Sequence, residues 1–296
     1  RQTAQFKTVN FSIKWRAPLS EKTASERTVL SNVLQHSNEK FPTSASFRSY
    51  LDDLFGTVLY FDTTKRGAEH TLLFNVETVN DQYLSHGNVL NEVIDVMHEA
   101  IFKPNFENGQ FKEAIVEREK SMVVQRIESV FDDKSRYAQK RLTEILRPNS
   151  PASMSANGNI DDVKAITPAS LTKTYEEMLK NDVIDIYVVG DVDVEQMAEQ
   201  IKKALPFTDR ENARLPKVAD FEGQVEAYTK ETQEMKQGKL HIGYATPVCF
   251  GDEDFASMQI FNGIFGGYAH SKLFMNVREK ESLAYYASSS YSSHYG

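Results

Sequence analysis

One cysteine, Cys249, stands among 296 residues. That excludes a disulfide framework and any zinc site built on thiolates. No apolar run approaches the ~20 residues that a membrane-spanning helix needs, and no signal-peptide pattern opens the chain. Membrane contact is therefore not expected, and a cytoplasmic location is. Positive charge is in deficit: 34 Lys and Arg face 42 Asp and Glu, for a net charge of −8 and a pI near 5.5. That balance speaks against a nucleic-acid groove and favours neutral or basic peptide partners. Gly263–Gly267 lacks the G-x-x-x-x-G-K-[ST] pattern of a phosphate loop and begins inside a helix. Val189-Gly190-Asp191 lacks the further glycines of a nucleotide-binding turn and reads as an ordinary helix cap. The first residue is Arg1 and the last, Gly296, follows a strand-like run, so a piece of a longer protein is expected.

What is present is the composition of a globular protein, 40% hydrophobic and 26% charged, with length for two domains. Phe6 to Trp15 alternates, with Val9, Phe11, Ile13 and Trp15 on one face, and predicts a half-buried strand. Ser20 is placed to cap a helix to about Ser37 with Val29, Leu30, Val33 and Leu34 inward. A second helix follows Pro42, carrying Phe47, Leu51, Leu54 and Phe55 and stopping at Gly56. Strands are predicted over Val58–Thr63 and His70–Val76, then a helix ending before Pro104 and one long helix from about Gln110 to Leu146. Thr167-Pro168 opens another helix. Val183–Val189 reads as a fully buried strand, and a helix closes at Leu205-Pro206.

Phe207 to Glu222 is polar and aperiodic, which divides the chain into a first domain, 1–206, a linker, 207–222, and a second domain, 223–296. Strands are predicted at Val225–Glu231 and Lys239–Thr246. The second unit repeats the order of the first, with Pro18 and Pro247 each ending a strand, so tandem copies of one α+β fold are expected, the second incomplete.

Within the second copy, GGYAHSKLFMNVREKESLAYY, Gly266 to Tyr286, carries the most chemistry. Gly266-Gly267 ends one helix and Ser271 caps the next. Leu273, Phe274 and Val277 form its apolar face, and Tyr285-Tyr286 open a β-prone segment. Arg278 and Tyr285 flank this junction, a guanidinium fork and a phenol suited to gripping a carbonyl oxygen. The ordinary alternative is that Arg278 pairs with a surface Glu and Tyr285 fills a core edge.

The Gly-Gly, Ser-Lys-Leu-Phe, Arg-Glu-Lys and Leu-Ala-Tyr elements resemble the second-domain signature of pitrilysin-type (insulinase-like) zinc peptidases, the inverzincins. The resemblance implies tandem α+β domains, each a mixed or antiparallel sheet covered by helices, as in mitochondrial processing peptidase subunits. It also implies that Arg278 and Tyr285, seven positions apart, hold substrate near the scissile bond. The family's zinc motif, H-x-x-E-H, puts two histidines on one helix face beside a general base. The matching positions here are Asn32, Gln35 and His36. An Asn amide is a poor zinc ligand and a Gln cannot take a proton from water. The third ligand, seven residues beyond Glu119 in the Glu117-Arg118-Glu119-Lys120 run, falls on Arg126, a cation. A two-residue slip to Glu128 would still leave the set incomplete. A substitute site from His36 and His70 fails for want of a base, and His98 reads as an ordinary satisfied histidine.

By that resemblance the chain is a non-catalytic subunit of a zinc peptidase heterodimer, inactive alone and without a metal of its own. Its Arg278–Tyr285 clamp would serve an extended peptide at the zinc site of a homologous H-x-x-E-H partner, with a homodimer as the alternative for the isolated chain. The competing readings are a structural scaffold and a self-sufficient peptidase with an unusual metal.

Overall fold

A computed structural model describes residues 2–85, 87–210 and 227–293. They fall into two compact units, one within residues 1–217 and one within 218–296.

The first unit is built on strand β1, Thr8–Pro18, whose alternation buries Val9, Phe11, Ile13 and Trp15 completely. Helix α1, Glu21–His36, follows from a capping box in which the Ser20 and Thr23 side chains satisfy each other's backbone amides. Helix α2, Ser44–Asp53, starts the same way from Thr43 and Ser46. Strands β2, Val58–Arg66, and β3, Glu69–Val79, form an antiparallel pair, and helix α3 spans Val89–Phe102. After the short pair β4, Phe106–Glu107, and β5, Gln110–Phe111, come helices α4, Glu113–Asp132, and α5, Lys134–Leu146. Helices α6, Ile160–Ala165, and α7, Pro168–Asn181, precede strand β6, Val183–Val189, and helix α8, Val194–Ala204. The main sheet has the order β2-β3-β1-β6, antiparallel throughout, with Trp15 opposite both Leu72 and Ile184. The core lies between the sheet and its helices, where α1 packs on β2 and β3 and in turn against α4. The mixed helix-and-antiparallel-sheet class matches the sequence expectation.

Four local expectations change. The long helix breaks at Asp133, whose carboxylate caps α5 through the Arg136 amide. Strand β6 is an edge strand and half-exposed, not buried: Ile186 keeps 37% of its surface. The helix after it is capped by Asp193 rather than by Gly190-Asp191. Of the expected linker, Phe207 stacks edge-on against Trp15 and Arg210 donates to the Asp182 carbonyl at 2.6 Å, so residues 207–210 belong to the first unit's surface. Residues 211–222 lie outside the described residues.

In the second unit, helix α9, Phe255–Asn262, runs on as a wider π-type turn, Gly263–Gly267, and a second π-helical segment spans Phe274–Lys280. The helices are where the sequence puts them, but the strands are not. Lys239–Thr246 and the segment from Tyr285 are not built into a sheet among the described residues, and Leu240, Ile242 and Tyr244 are exposed. Alternation marks which side chains would share a face, but it supplies neither a neighbouring strand nor a covering layer. The expected strand Val225–Glu231 lies partly outside the described residues, and 227–231 is not strand.

Candidate functional site

Asn32, Gln35 and His36 occupy the last turn and a half of α1, one turn being enough to bring positions 32 and 36 to the same face. Helix α4 lies beside that face, and its i, i+7 pair Glu119 and Arg126 meets Asn32. Arg126 Nη2 donates to Asn32 Oδ1 at 3.3 Å, and the Asn32 amide also acts on the Glu119 carboxylate beside it. Glu119 is nearly buried, and desolvation raises its pKa against the pull of Arg118, Asn32 and Arg126.

His36 is engaged by a second guanidinium. Arg118 Nη1 lies 3.2 Å from His36 Nε2, and a guanidinium can only donate, so Nε2 is the acceptor. The ring proton then sits on Nδ1 and is donated to Ser37 Oγ at 2.9 Å, an oxygen that also accepts from Asn105 Nδ2 at 3.0 Å. Burial first, then the Arg118 and Arg48 charges, lower the His36 pKa and keep the ring neutral. The lone pair a metal would take is occupied by Arg118. Gln35 is turned to another task, its Oε1 accepting the Phe61 amide of edge strand β2 at 3.1 Å.

These residues do not fit a zinc ion. Their donors are one amide oxygen, one imidazole nitrogen already bonded to a cation, and one carboxylate, with two guanidinium groups among them. Among the described residues no cluster of three or more His, Cys, Asp or Glu could hold a metal. Of the positions singled out in the sequence, the fold brings Asn32, His36 and Arg126 together at the α1–α4 contact, while Gln35 turns to β2. Arg118 was visible only as part of the Glu117–Lys120 run, because its bond to His36 depends on how α4 lies against α1.

His70 and His98 are held by bonds within the first unit. His70 is buried, accepting from Arg27 Nε at Nδ1 over 3.1 Å and donating from Nε2 to the Ala156 carbonyl at 2.8 Å. Burial and the Arg27 charge push its pKa down to about 4. Arg27 also reaches Trp15 O and pairs with buried Asp182 at 2.5 Å. His98 donates from Nδ1 to the Ala204 carbonyl at 2.7 Å and packs on Phe102.

In the second unit, the Ser271 hydroxyl accepts the Phe274 amide at 3.4 Å, the weak end of a cap, at the start of the segment that carries Arg278. The Arg278 guanidinium lies over the Phe274 ring, 4.5 Å from its centre, and its Nε is 3.6 Å from Glu279. Its other nitrogens remain accessible, since the side chain is 44% exposed. Tyr285 follows the turn at Ser282, which has a left-handed φ, and is 82% exposed, so it fills no core edge within its unit. Beyond it the chain crosses Gly266, where the Ser289 amide bonds the Gly266 carbonyl at 3.1 Å and the Ser289 hydroxyl bonds Asn262 Oδ1 at 2.8 Å.

The family model described as the peptidase M16 inactive domain matches residues 165–296. A Bacillus subtilis (strain 168) protein named probable inactive metalloprotease YmfF is 40% identical over 292 residues, covering 97% of this chain and 68% of that protein. The crystal structure of a conserved protein from Enterococcus faecalis V583 superposes with a TM-score of 0.86 at 33% identity, over 100% of this chain and 70% of the other. Pitrilysin shares the fold over 74% of this chain and 22% of its own, with a TM-score of 0.53 at 17% identity. The chain belongs to the M16, pitrilysin-type peptidase family.

Proposed function

We propose that this chain is a non-catalytic M16 subunit that lends an Arg278–Tyr285 clamp to the zinc site of a homologous H-x-x-E-H partner, for cleavage or processing of an extended peptide in the cytoplasm. One observation supports the reading above others. Guanidinium groups engage the degenerate metal positions at Asn32 and His36, while Arg278 and Tyr285 keep the family spacing and stand exposed. A protein that had kept only the scaffold would have no use for both. The partner's zinc supplies the hydrolytic chemistry. Arg278 and Tyr285 donate hydrogen bonds to a peptide carbonyl, holding the chain extended and favouring the charge that grows on that oxygen.

The test is steady-state peptide cleavage by the reconstituted heterodimer, with substitutions in this subunit alone and assembly checked by gel filtration. Tyr285→Phe removes only the hydroxyl, and the exposed ring makes a folding defect unexpected. Turnover should fall roughly a hundredfold, with less change in substrate affinity. Arg278→Lys should not rescue, since an ammonium cannot reproduce the planar fork. Complexes that assemble and cleave at wild-type rates would leave the scaffold reading in its place.

A further inference from the structure

We propose that the groove between the first turn of α2 and the start of α4 is an oxyanion site, for a carboxylate or phosphoryl group. The cavity has a volume of about 590 Å³, and Arg48, Lys112 and Arg118 line it together with His36 and the Ser44–Ala45 turn. No carboxylate lines it. Arg118 is held toward His36 and pairs with Glu119 at 3.7 Å, whereas Arg48 and Lys112 have no ion-pair partner among the described residues. Two cations without a partner, on one concave surface beside a third, repel one another unless an anion lies between them. In a chain of net charge −8 such a gathering is local rather than a general basic surface.

The backbone adds donors of the same kind. In α2 the Ser46 amide is taken by Thr43 Oγ1 at 3.1 Å. The Ser44 and Ala45 amides are first-turn donors with no acceptor inside the helix, and both residues face the cavity. Guanidinium forks, an ammonium and helix-start amides recognise oxygen atoms carrying negative charge. The overall acidity opposes a long polyanion, so the occupant is a small oxyanion: a glutamate or aspartate carboxylate of a bound peptide, or free phosphate. The site lies wholly within the first unit and uses neither Arg278 nor Tyr285, so it stands or falls apart from the clamp.

Calorimetric titration of the whole chain in low-salt Tris buffer tests it. The probes are inorganic phosphate, an end-blocked hepta-glutamate peptide and its glutamine counterpart. Saturable binding of phosphate or of the glutamate peptide is expected, with none of the glutamine peptide, and the affinity should fall as salt rises. A glutamate peptide that binds and displaces phosphate assigns the site to peptide carboxylates; phosphate binding alone assigns it to free phosphate. Arg48→Gln with Lys112→Gln, surface changes that leave the core untouched, should weaken binding by about tenfold or more. Lys202→Gln with Lys203→Gln on α8 should not. Absence of saturable binding by either anion, or equal binding by the Arg48–Lys112 variant, would overturn the assignment.

Discussion

His36 and His70 show how the same residue type is silenced in two ways. His36 lies at the end of α1, and Arg118 occupies its Nε2. Rebuilding the ligand set with Asn32→His, Gln35→Glu and Arg126→Glu should therefore give only weak zinc binding. Adding Arg118→Gln should strengthen it by about tenfold, as expected for removing a competing partner next to a ligand. A competition titration that finds no difference between the two backgrounds would mean that Arg118 does not guard the imidazole. His70 makes a different prediction. Its imidazole titrates near the usual 6.5 when unfolded and at about 4 when folded, so between those values the unfolded chain binds more protons. The contribution is full above pH 6.5, shrinks as pH falls, and is gone below about 4, amounting to about 3 kcal/mol over the range. Urea unfolding at pH 7 and pH 4.5 should show a drop that His70→Gln largely removes. That Asn32 and His36 share a face was legible because helix spacing alone puts 32 and 36 together. The Arg27–His70–Asp182 network was not, because it joins a helix, a strand and the residue before a strand across long stretches of sequence.

Elements whose signal is local were readable before the fold was known. Strand β1 alternates in sequence and in burial alike, and Thr167-Pro168 caps α7 as its residue types require. Strand β6 was misread because VIDIYVV says that both faces could be covered, whereas its place at the sheet edge depends on topology. The same holds for Leu240, Ile242 and Tyr244, whose alternation is real but whose covering layer is set elsewhere. Glycine at 266 carries a testable constraint. A Cβ there would lie 2.5 Å from the Ser289 amide nitrogen and 2.8 Å from its Cβ, closer than real side chains approach. Gly266→Ala should destabilise the second unit by about 1–3 kcal/mol, as overpacking does. Hydrogen exchange at the Ser289 amide, bonded to the Gly266 carbonyl, should accelerate; unchanged exchange would mean that the crossing is made elsewhere.

The chain belongs to the M16 peptidase family, and its two units carry different chemistry. In the first, Arg118, Arg126, Asn32, His36 and Glu119 come together where α1 and α4 meet. In the second, Arg278 and Tyr285 stand exposed, seven positions apart. On the proposed reading, a metal-bearing relative completes the site, and co-purification should recover an H-x-x-E-H protein of similar fold. The most direct measurement is the zinc content of the chain after purification with equimolar zinc and gel filtration. Well under one zinc per chain is predicted, with no chelator-sensitive peptide cleavage. About one zinc per chain, lost together with cleavage in His36→Ala, would contradict it.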